Sequence, residues 1–273
     1  MKNRHSLDTL AAAWSEILGI AGPTCANYAN PELVSFAKAA FGGKNADRIV
    51  IYNPDAVGQW ICETHPEYVS EVTGGTDLAL PLESPMPPVT PVCFGTMYTG
   101  AQPEVHGIRE YARHLITVDS FFDALIRAGK KPILMAAKGH SIGVIYDGKN
   151  MTYFRPRDMF TVNSTAMELL LKDEYDVYII YNGNYDSKVH KYGPEDPHTL
   201  GELRINAHMF GMIRDLISRN WPHHRTLLGF CPDHGCHLGG PGLEDEEVGG
   251  HGLDIPKDRE ILHYFAALGE EKV

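Results

Sequence analysis

Three aspartates that each close a short apolar run are the residues of this chain best placed to do chemistry. They are Asp55 after residues 48–54, Asp186 after residues 176–185 and Asp233 after residues 226–232. Each run has the composition of a buried parallel strand, and ligands gather at the carboxyl ends of such strands. Carboxylates gathered at one such edge are costly to bury unless a cation binds them. The spacing therefore predicts a metal centre.

Histidines at ligand spacing accompany two of these aspartates. His190 follows Asp186 by four residues, and His234 follows Asp233 directly. If the first pair lies on one helical turn, both side chains face the same point, as two ligands of one ion must. Either pair alone is more typical of a salt bridge or a helix cap than of a metal site. The coincidence of both pairs with Asp55 favours two metal ions.

The composition is that of an ordinary folded protein with an acidic balance. The 273 residues are 43% hydrophobic and 22% charged, with a formal net charge of −11. Proteins that bind nucleic acid usually carry a basic face, so nucleic acid is not expected as a constitutive partner. A small phosphorylated substrate is compatible with this charge, because bound divalent cations invert the local field.

The sequence favours a location inside the cell. Residues 1–8 lack the apolar core of a signal peptide, and no apolar stretch approaches the roughly 18 residues of a membrane span. The five cysteines are scattered and odd in number, which does not fit a secreted disulfide framework. We therefore expect a cytoplasmic protein with reduced thiols and no membrane partner. The sequence leaves a homo-oligomer open.

Segments typical of strands alternate with segments typical of helices from residue 48 onward. This order predicts an α/β fold with a mainly parallel central sheet and helices on both faces. Because no linker interrupts the pattern, we expect a single domain over residues 1–273, with a helical N-terminal extension over residues 1–46. The proline-rich stretch 76–92 predicts an extended loop, and the apolar spacing of residues 256–267 predicts a final helix. The acidic run 244–247 is expected to be a solvated loop.

Three segments together resemble a known family. They are residues 90–108, with Thr90, Thr99, Gly100, Pro103 and His106; residues 186–194; and residues 233–235. In order and spacing they are similar to the motifs of the alkaline phosphatase superfamily, in particular its nucleotide pyrophosphatase/phosphodiesterase branch, over residues 48–251. The resemblance implies an alkaline-phosphatase-like fold whose cap is small or absent. The cap inserts of longer members would be reduced to about residues 146–174.

The resemblance also implies a nucleophile and two sets of metal ligands. Thr90 stands nine positions before Thr99, where the family has its nucleophilic threonine. The implied ligands are Asp186, His190 and His251 for one metal, and Asp55, Thr90, Asp233 and His234 for the other. His237 is the alternative to His251, which is preferred because a ligand for the other metal should come from a different loop. Zinc fits a mixed Asp/His site best, and manganese is the alternative.

Substrate contacts follow less directly from the sequence. The family usually has an asparagine soon after the element at residues 106–108, but here Arg109 and Tyr111 occupy that stretch. Either side chain could contact a phosphate oxygen. Lys138 and His140 follow a predicted strand and could also reach a phosphate, although a solvated loop explains them equally well.

The leading hypothesis is a two-metal phosphohydrolase that cleaves small, nucleotide-type phosphodiesters or phosphomonoesters through a Thr90-phosphoryl intermediate. A phosphonate hydrolase similar to phosphonoacetate hydrolase is the enzymatic alternative. A catalytically inactive, metal-stabilised binding protein is the other, but a retained Thr90 argues against it. Sulfatases share the fold, but they need a cysteine or serine in a Cys/Ser-x-Pro-x-Arg context that residues 90–94 do not provide.

Overall fold

A sheet of eight strands organises the computed structural model, which describes residues 5–240 and 246–269. A separate pair of two-residue strands, β8 and β9, completes the set. The strands are β1 (His5–Ser6), β2 (Arg48–Pro54), β3 (Leu78–Glu83), β4 (Pro132–Met135), β5 (Thr152–Phe154), β6 (Val177–Asn182), β7 (Thr226–Phe230), β8 (His237–Leu238), β9 (Gly249–Gly250) and β10 (Glu260–Leu268).

Helices connect most of these strands and cover the sheet. They are α1 (Leu10–Leu18), α2 (Pro31–Ala40), α3 (Gln59–Thr64), α4 (Ser70–Thr73), α5 (Thr90–Thr99), α6 (Pro103–His106), α7 (Phe121–Arg127), α8 (Ser141–Ile145), α9 (Met159–Lys172), α10 (Asn184–Tyr192), α11 (Pro197–Asn220) and α12 (Pro256–Arg259). Helices α1, α5, α7 and α8 contact one another in one layer, and α4, α9, α10 and α11 form another. Across the described residues, no helix is both long and apolar enough to span a bilayer.

The strand order is β1-β3-β10-β7-β2-β6-β4-β5. Strand β10 runs antiparallel to both of its neighbours, and the other pairs in the sheet are parallel. The predicted α/β fold with a mainly parallel sheet is confirmed. Its parallel part requires crossover connections, which explains why helices lie between consecutive strands.

Strands β7, β2 and β6 are neighbours at the centre of the sheet. Ile49 of β2 pairs with Leu227 on one side and with Val177 on the other. Every residue of β6 and β7 is buried, and β2 is buried from its second residue onward. Parallel strands held in this register end at the same edge. The aspartates that follow them are therefore delivered to one place.

The prediction of a helix over residues 256–267 is wrong. Only Pro256–Arg259 is helical, and Glu260–Leu268 is strand β10, inserted between β3 and β7. Its residues are largely buried, including consecutive residues such as Tyr264 and Phe265 that face opposite sides of the sheet. A run buried on both faces looks the same in a helix or a strand from spacing alone, so the pairing partners decided it.

The prediction of an extended loop over residues 76–92 is also wrong in its first half. Leu78–Glu83 is strand β3, with Leu80 and Leu82 buried. Proline is compatible with strands at an open edge. Pro81 lies at such a position, because β1 pairs with β3 only at Leu82 and Glu83.

Two predictions about organisation along the chain are not decided by this structure. The extension over residues 1–46 holds α1 and α2, with Asn30 capping α2 through the backbone N–H of Leu33, and its first four residues lie outside the described ones. The cap over residues 146–174 holds β5 and α9, which contact β4 and β6. The single-domain boundaries and the cap stay predictions.

A buried turn supports the helix that begins at Thr90. Gly100 ends α5 in the left-handed region, and the Thr99 hydroxyl donates to the Gly95 carbonyl at 2.7 Å. His106 packs against Gly95 so closely that a β-carbon there would come within 2.7 Å of the imidazole. The Ile108 N–H donates to Nδ1 of His106, so Nε2 carries the proton and donates to the Thr96 hydroxyl at 3.0 Å.

Acid should destabilise the protein through His106. Burial lowers the pKa of its imidazole to about 4. Between pH 6.5 and pH 4, this imidazole is therefore protonated in the unfolded chain and neutral in the folded chain. Stability conferred by the neutral imidazole is complete above pH 6.5 and decreases as the pH falls towards 4. We expect His106 to account for about 2–3 kcal/mol of the loss between pH 7 and pH 4.5.

The measurement is urea unfolding of the metal-free protein at both pH values. A His106→Gln variant should show a loss smaller by that amount, because it removes the titrating group. An identical pH dependence in the two proteins would contradict this assignment.

Candidate metal centre

Two groups of side chains meet at the carboxyl ends of β7, β2 and β6. Cluster 1 consists of Asp55, Asp233 and His234, and cluster 2 consists of Asp186, His190 and His251. Within each cluster, one ligand atom from every residue lies within 4.8 Å of the others. These are the residues that the sequence assigns to two metals.

Cluster 1 is buried between β2, β7 and the first turn of α5. Nε2 of His234 lies 3.3 Å from Oδ1 of Asp55 and 3.4 Å from Oδ2 of Asp233. Thr90, the first residue of α5, places its hydroxyl 3.4 Å from Oδ2 of Asp55 and 3.4 Å from Nε2 of His234. The predicted nucleophile therefore lies at the edge of the cluster, in contact with two of its members.

Cluster 2 is built from a helical turn and a loop. Asp186 and His190 lie on α10, and Nε2 of His190 is 3.4 Å from Oδ1 of Asp186. His251 directly follows β9 and brings its Nε2 to within 3.4 Å of the same oxygen. The alternative ligand, His237, instead contacts Asp258 through Nδ1 at 2.8 Å.

The two clusters adjoin each other. The rings of His234 and His251 lie 4.1 Å apart at their centres, and those of His190 and His251 lie 5.2 Å apart. His251 is thus shared in packing by both clusters. A single substrate phosphate could contact ions held at both.

All three imidazoles turn Nε2 towards an aspartate of the clusters and Nδ1 towards a group outside the clusters. Nδ1 of His234 bonds the Gly235 carbonyl at 2.9 Å, and Nδ1 of His251 bonds the Pro88 carbonyl at 3.2 Å. A carbonyl acceptor holds the proton on Nδ1 and leaves the lone pair of Nε2 free for a metal. Nδ1 of His190 lies 2.8 Å from Oε1 of Glu247, a close ionic contact without the direction of a hydrogen bond.

Oxygen atoms without hydrogen-bond partners show that a cation fits both clusters. Among the described residues, these include buried Oδ1 of Asp55, Oδ2 of Asp233 and Oδ1 of Asp186. Their separations from Nε2 atoms are 3.3–3.4 Å. Ligands bound tetrahedrally at about 2.0–2.1 Å from one zinc ion lie roughly 3.3–3.4 Å apart. The spacing suits a cation between them better than direct hydrogen bonds.

Comparison with known proteins gives one short sequence match and several matches of fold. No family model matches the chain. Human ectonucleotide pyrophosphatase/phosphodiesterase family member 7 is 31% identical over 93 residues, which cover 34% of this chain and only 19% of that protein's length. The structure of human ectonucleotide pyrophosphatase/phosphodiesterase 5 has a TM-score of 0.61 at 12% identity, over 81% of this chain and 88% of that one. A murine form, described as inactive and in complex with AMP, has a TM-score of 0.60 at 13% identity, over 82% and 88%.

The chain has the fold of the ectonucleotide pyrophosphatase/phosphodiesterases. The resemblance seen in the motifs is confirmed, since these proteins are the structural neighbours. The local identity with family member 7 supports it only weakly, because the match is short. In this phosphodiesterase fold, the two clusters lie where three central parallel strands end.

Burial and mutual repulsion disturb the ionisation of the centre when no cation is present. Burial and the nearby Asp186 raise the pKa of Asp55 to about 7, and burial together with Asp55 raises the pKa of Asp233. Burial lowers the pKa of His234 to about 3. Burial alone would raise the pKa of Asp186, but contacts with His190 and His251 lower it. The contact with Asp186 raises the pKa of His190 to about 9.

Tyr181 is a component of the site that sequence reasoning missed. Its buried hydroxyl donates to Oδ2 of Asp55, which leaves Oδ1 facing Asp233 and His234. Its ring packs edge-on against Phe94 of α5. The residue lies inside β6 and looks like an ordinary core tyrosine in the sequence, so only the strand order shows that it meets Asp55.

The backbone around Asp233 has supports of its own. The Ser84 hydroxyl donates to the Asp233 carbonyl at 2.7 Å, and Nε2 of His263 donates to the Pro232 carbonyl at 2.7 Å. The Ala56 N–H donates to Oδ1 of Asp233 at 3.3 Å. These contacts come from β10 and from the segments that follow β2 and β3, so the position of Asp233 depends on the assembled sheet.

The sequence-predicted substrate residues are less closely tied to the clusters. His140 reaches the site, with its ring centre 5.3 Å from that of Tyr181. Arg109 donates to the Glu104 carbonyl, and Tyr111 and Lys138 are exposed. Within residues 5–240 and 246–269, no hydrogen bond or ion pair joins these three to either cluster. Their role in substrate binding stays a prediction.

The acidic loop is only partly described. Glu244 and Asp245 lie outside the described residues, whereas Glu247 is half-buried against His190. The Val248 N–H also donates to the His190 carbonyl at 2.8 Å. The end of this loop is therefore a support for cluster 2.

Replacing Tyr181 by phenylalanine should weaken one metal site and spare the other. Without the hydroxyl, the Asp55 carboxylate can rotate and no longer presents one fixed oxygen. Loss of such a supporting bond typically lowers metal affinity about 10- to 100-fold. Competition of the metal-free protein with a chelator for zinc measures both affinities.

Tyr146→Phe is the matched control, because the Tyr146 hydroxyl is equally buried but donates to the Phe94 carbonyl. Only the Tyr181 variant should lose affinity, and only for one of two equivalents. Equal affinities in the two variants would refute the role given to Tyr181.

Proposed function

We propose that this chain is a two-metal phosphohydrolase that cleaves small phosphodiesters or phosphomonoesters of the nucleotide type through a phosphorylated Thr90. The contact of the Thr90 hydroxyl with both Asp55 and His234 at 3.4 Å carries the proposal. A threonine hydroxyl is a poor nucleophile near neutrality and needs activation. A hydroxyl buried among metal-type ligands has the surroundings that can activate it.

The relatives support a substrate of this class. The murine phosphodiesterase of the same fold is described as an inactive threonine-to-alanine variant in complex with AMP. Human family member 7 is named as an ectonucleotide pyrophosphatase/phosphodiesterase. By extension, we propose nucleotide-type esters as substrates for this chain and the threonine as its essential group.

In the proposed reaction, Thr90 acts as the nucleophile and Asp55 accepts its proton. Thr90 Oγ1 attacks the phosphorus as its proton passes to Oδ2 of Asp55, the nearest carboxylate oxygen. The new P–O bond to Thr90 forms while the P–O bond to the leaving alkoxide breaks, and the alkoxide takes up a proton from solvent. Water then attacks the phosphorus and the P–O bond to Thr90 breaks. Thr90 Oγ1 recovers the proton held by Asp55, and the proton lost by the water passes to solvent. The sum is one ester and one water converted to an alcohol and a phosphate.

Clusters 1 and 2 provide the ligands that such a reaction needs. Two divalent cations, one held by cluster 1 with Thr90 and one by cluster 2, would supply Lewis-acid stabilisation of the phosphoryl oxygens. We propose zinc because the donor set mixes carboxylate and imidazole, with manganese as the alternative. Tyr181, Pro88 and Gly235 hold the ligand side chains in place.

Three proposals complete this function. The substrate is a small phosphorylated molecule, and nucleic acid is not a constitutive partner, in keeping with the formal net charge of −11. The expected place of action is the cytoplasm. The oligomeric state stays open.

Replacing Thr90 by alanine should abolish turnover while keeping the fold and most bound metal. We expect a decrease in kcat of at least about 1,000-fold, because the nucleophile is lost. Hydrolysis of bis-p-nitrophenyl phosphate and p-nitrophenyl phosphate, with metal content measured alongside, tests this. A Thr90→Ser variant should keep part of the activity, since it retains a hydroxyl. Full activity in Thr90→Ala would rule out the mechanism.

Removing one carboxylate from each cluster should remove metals one at a time. Asp186→Asn should weaken one zinc equivalent, and Asp233→Asn should weaken the other, each by at least about 100-fold, the upper end of the loss typical for a supporting outer contact. Elemental analysis after dialysis gives the stoichiometry. Asp119→Asn is the control, because Asp119 pairs with Arg127 outside both clusters. Loss of both metals from both variants would argue against two separable sites.

A further inference from the structure

The carboxyl edge of the sheet changes charge from one side to the other. Strands β7, β2 and β6 are followed by the aspartates and histidines of the two clusters. The next strands in the order, β4 and β5, are followed by basic residues. Lys138 and His140 come after β4, and Arg155 and Arg157 come after β5. A cationic half therefore adjoins the metal half at one edge.

Hydrogen bonds and ring contacts bring the basic loops together beside cluster 1. The Lys138 N–H donates to the Pro156 carbonyl at 2.8 Å, which joins the loop after β4 to the loop after β5. The His140 ring packs on Tyr181, whose hydroxyl bonds Asp55. The side chain of Tyr181 therefore contacts both the loop after β4 and cluster 1.

A third segment adds another cation to this edge. Nη1 of Arg113 donates to the Gly139 carbonyl at 2.7 Å, between Lys138 and His140 in the chain. We call Arg113, Lys138, His140 and Arg157 the basic rim. Arg155 is excluded because it pairs with Asp147 at 2.8 Å and lies over the Tyr153 ring.

Three members of the basic rim, Arg113, Lys138 and Arg157, are exposed cations, and none of them lies within ion-pair distance of a carboxylate in the described part of the chain. The neighbouring Asp158 offsets part of the charge of Arg157. Burial lowers the pKa of His140, so its imidazole is neutral at pH 7 and contributes a hydrogen-bonding group rather than a charge. This is a local reversal in a protein whose formal net charge is −11. Unpaired cations beside an anion-processing centre raise the local concentration of anionic ligands and orient them.

The charge balance at the metal centre indicates which anionic group of a substrate the basic rim could bind. Two divalent cations would carry four positive charges, and four carboxylates lie at the centre: Asp55, Asp186 and Asp233 in the clusters and Glu247 against His190. The phosphoryl group of a substrate would therefore already exceed the positive charge available there. A second anionic group on the substrate would have to find its cations elsewhere, and the basic rim is the adjoining source.

We propose that the basic rim binds a second anionic group of the substrate, a carboxylate or a phosphate, beyond the reacting phosphorus. This inference rests on the proposed phosphohydrolase function. It narrows the substrate class from any small phosphate ester to compounds with two anionic groups separated by a short linker.

Binding to a protein that cannot turn over its ligand tests the proposal. In the zinc-loaded Thr90→Ala protein, calorimetry gives the dissociation constants of methylphosphonate, phosphonoacetate and methylenediphosphonate. The first has no second anion, the second adds a carboxylate and the third adds a phosphonate group. Comparing the last two distinguishes a carboxylate from a phosphate as the preferred group.

In this background, Lys138→Ala should raise the dissociation constant of the preferred ligand with two anionic groups by about 5- to 10-fold. The dissociation constant of methylphosphonate should not change. Arg113→Ala should act in the same direction. Lys131→Ala is the matched control, because Lys131 is an exposed lysine at the opposite, amino-terminal end of β4. It should change none of the three constants.

Equal losses for all three ligands, or the same loss in Lys131→Ala, would overturn the basic rim as a subsite. Methylphosphonate binding that survives in such a case would leave the phosphohydrolase proposal standing. If no phosphorus ligand binds and the wild-type protein hydrolyses no ester, both proposals fail. The two failures are therefore distinguishable.

Discussion

Three carboxylates held together in a buried space are the constraint on which the rest of the structure depends. Asp55, Asp186 and Asp233 meet because three neighbouring parallel strands end in register. Their mutual repulsion and desolvation are unfavourable without positive charge between them. The histidines of both clusters turn Nε2 towards the same points. The centre is therefore arranged for cations, and one oxygen of each carboxylate has no hydrogen-bond partner among the described residues.

A surrounding set of contacts decides which atom of each ligand faces the centre. Tyr181 takes one oxygen of Asp55, and backbone carbonyls of Pro88 and Gly235 take the outer nitrogens of His251 and His234. Such contacts fix tautomers and rotamers before any ion arrives. They come from segments far apart in sequence. The precision of the centre thus depends on the packing of the whole sheet.

The helix that carries Thr90 is held by the same means. Its N-terminal residue lies at cluster 1, and its C-terminal turn is locked by His106 against Gly95. The motif over residues 99–108 therefore has a structural role, since it fixes the far end of the helix. The chemistry that we propose for this helix is assigned to Thr90. This separation explains why a motif typical of a phosphohydrolase family contains residues that do not contact the clusters.

Much of the candidate site could be predicted from the sequence. Its three aspartates, with His190 and His234, lie at strand ends and at helical spacing that the chain displays locally, whereas Thr90 and His251 were implied by the resemblance to the family. The same local patterns failed for β10 and β3, where burial on both faces or an internal proline hides the strand. The role of Tyr181 was also hidden, since a tyrosine in a buried strand has no feature that marks a partner on the next strand.

The sequence by itself determined the donor types, their order and the parallel sheet that gathers them. Those features follow from residue chemistry and short-range spacing. Only the tertiary structure decided that His251 joins Asp186 while His237 pairs with Asp258, and that basic loops adjoin the acidic centre. Contacts of this kind depend on strand order and on loops that meet across long sequence separations. No local pattern in the chain encodes them.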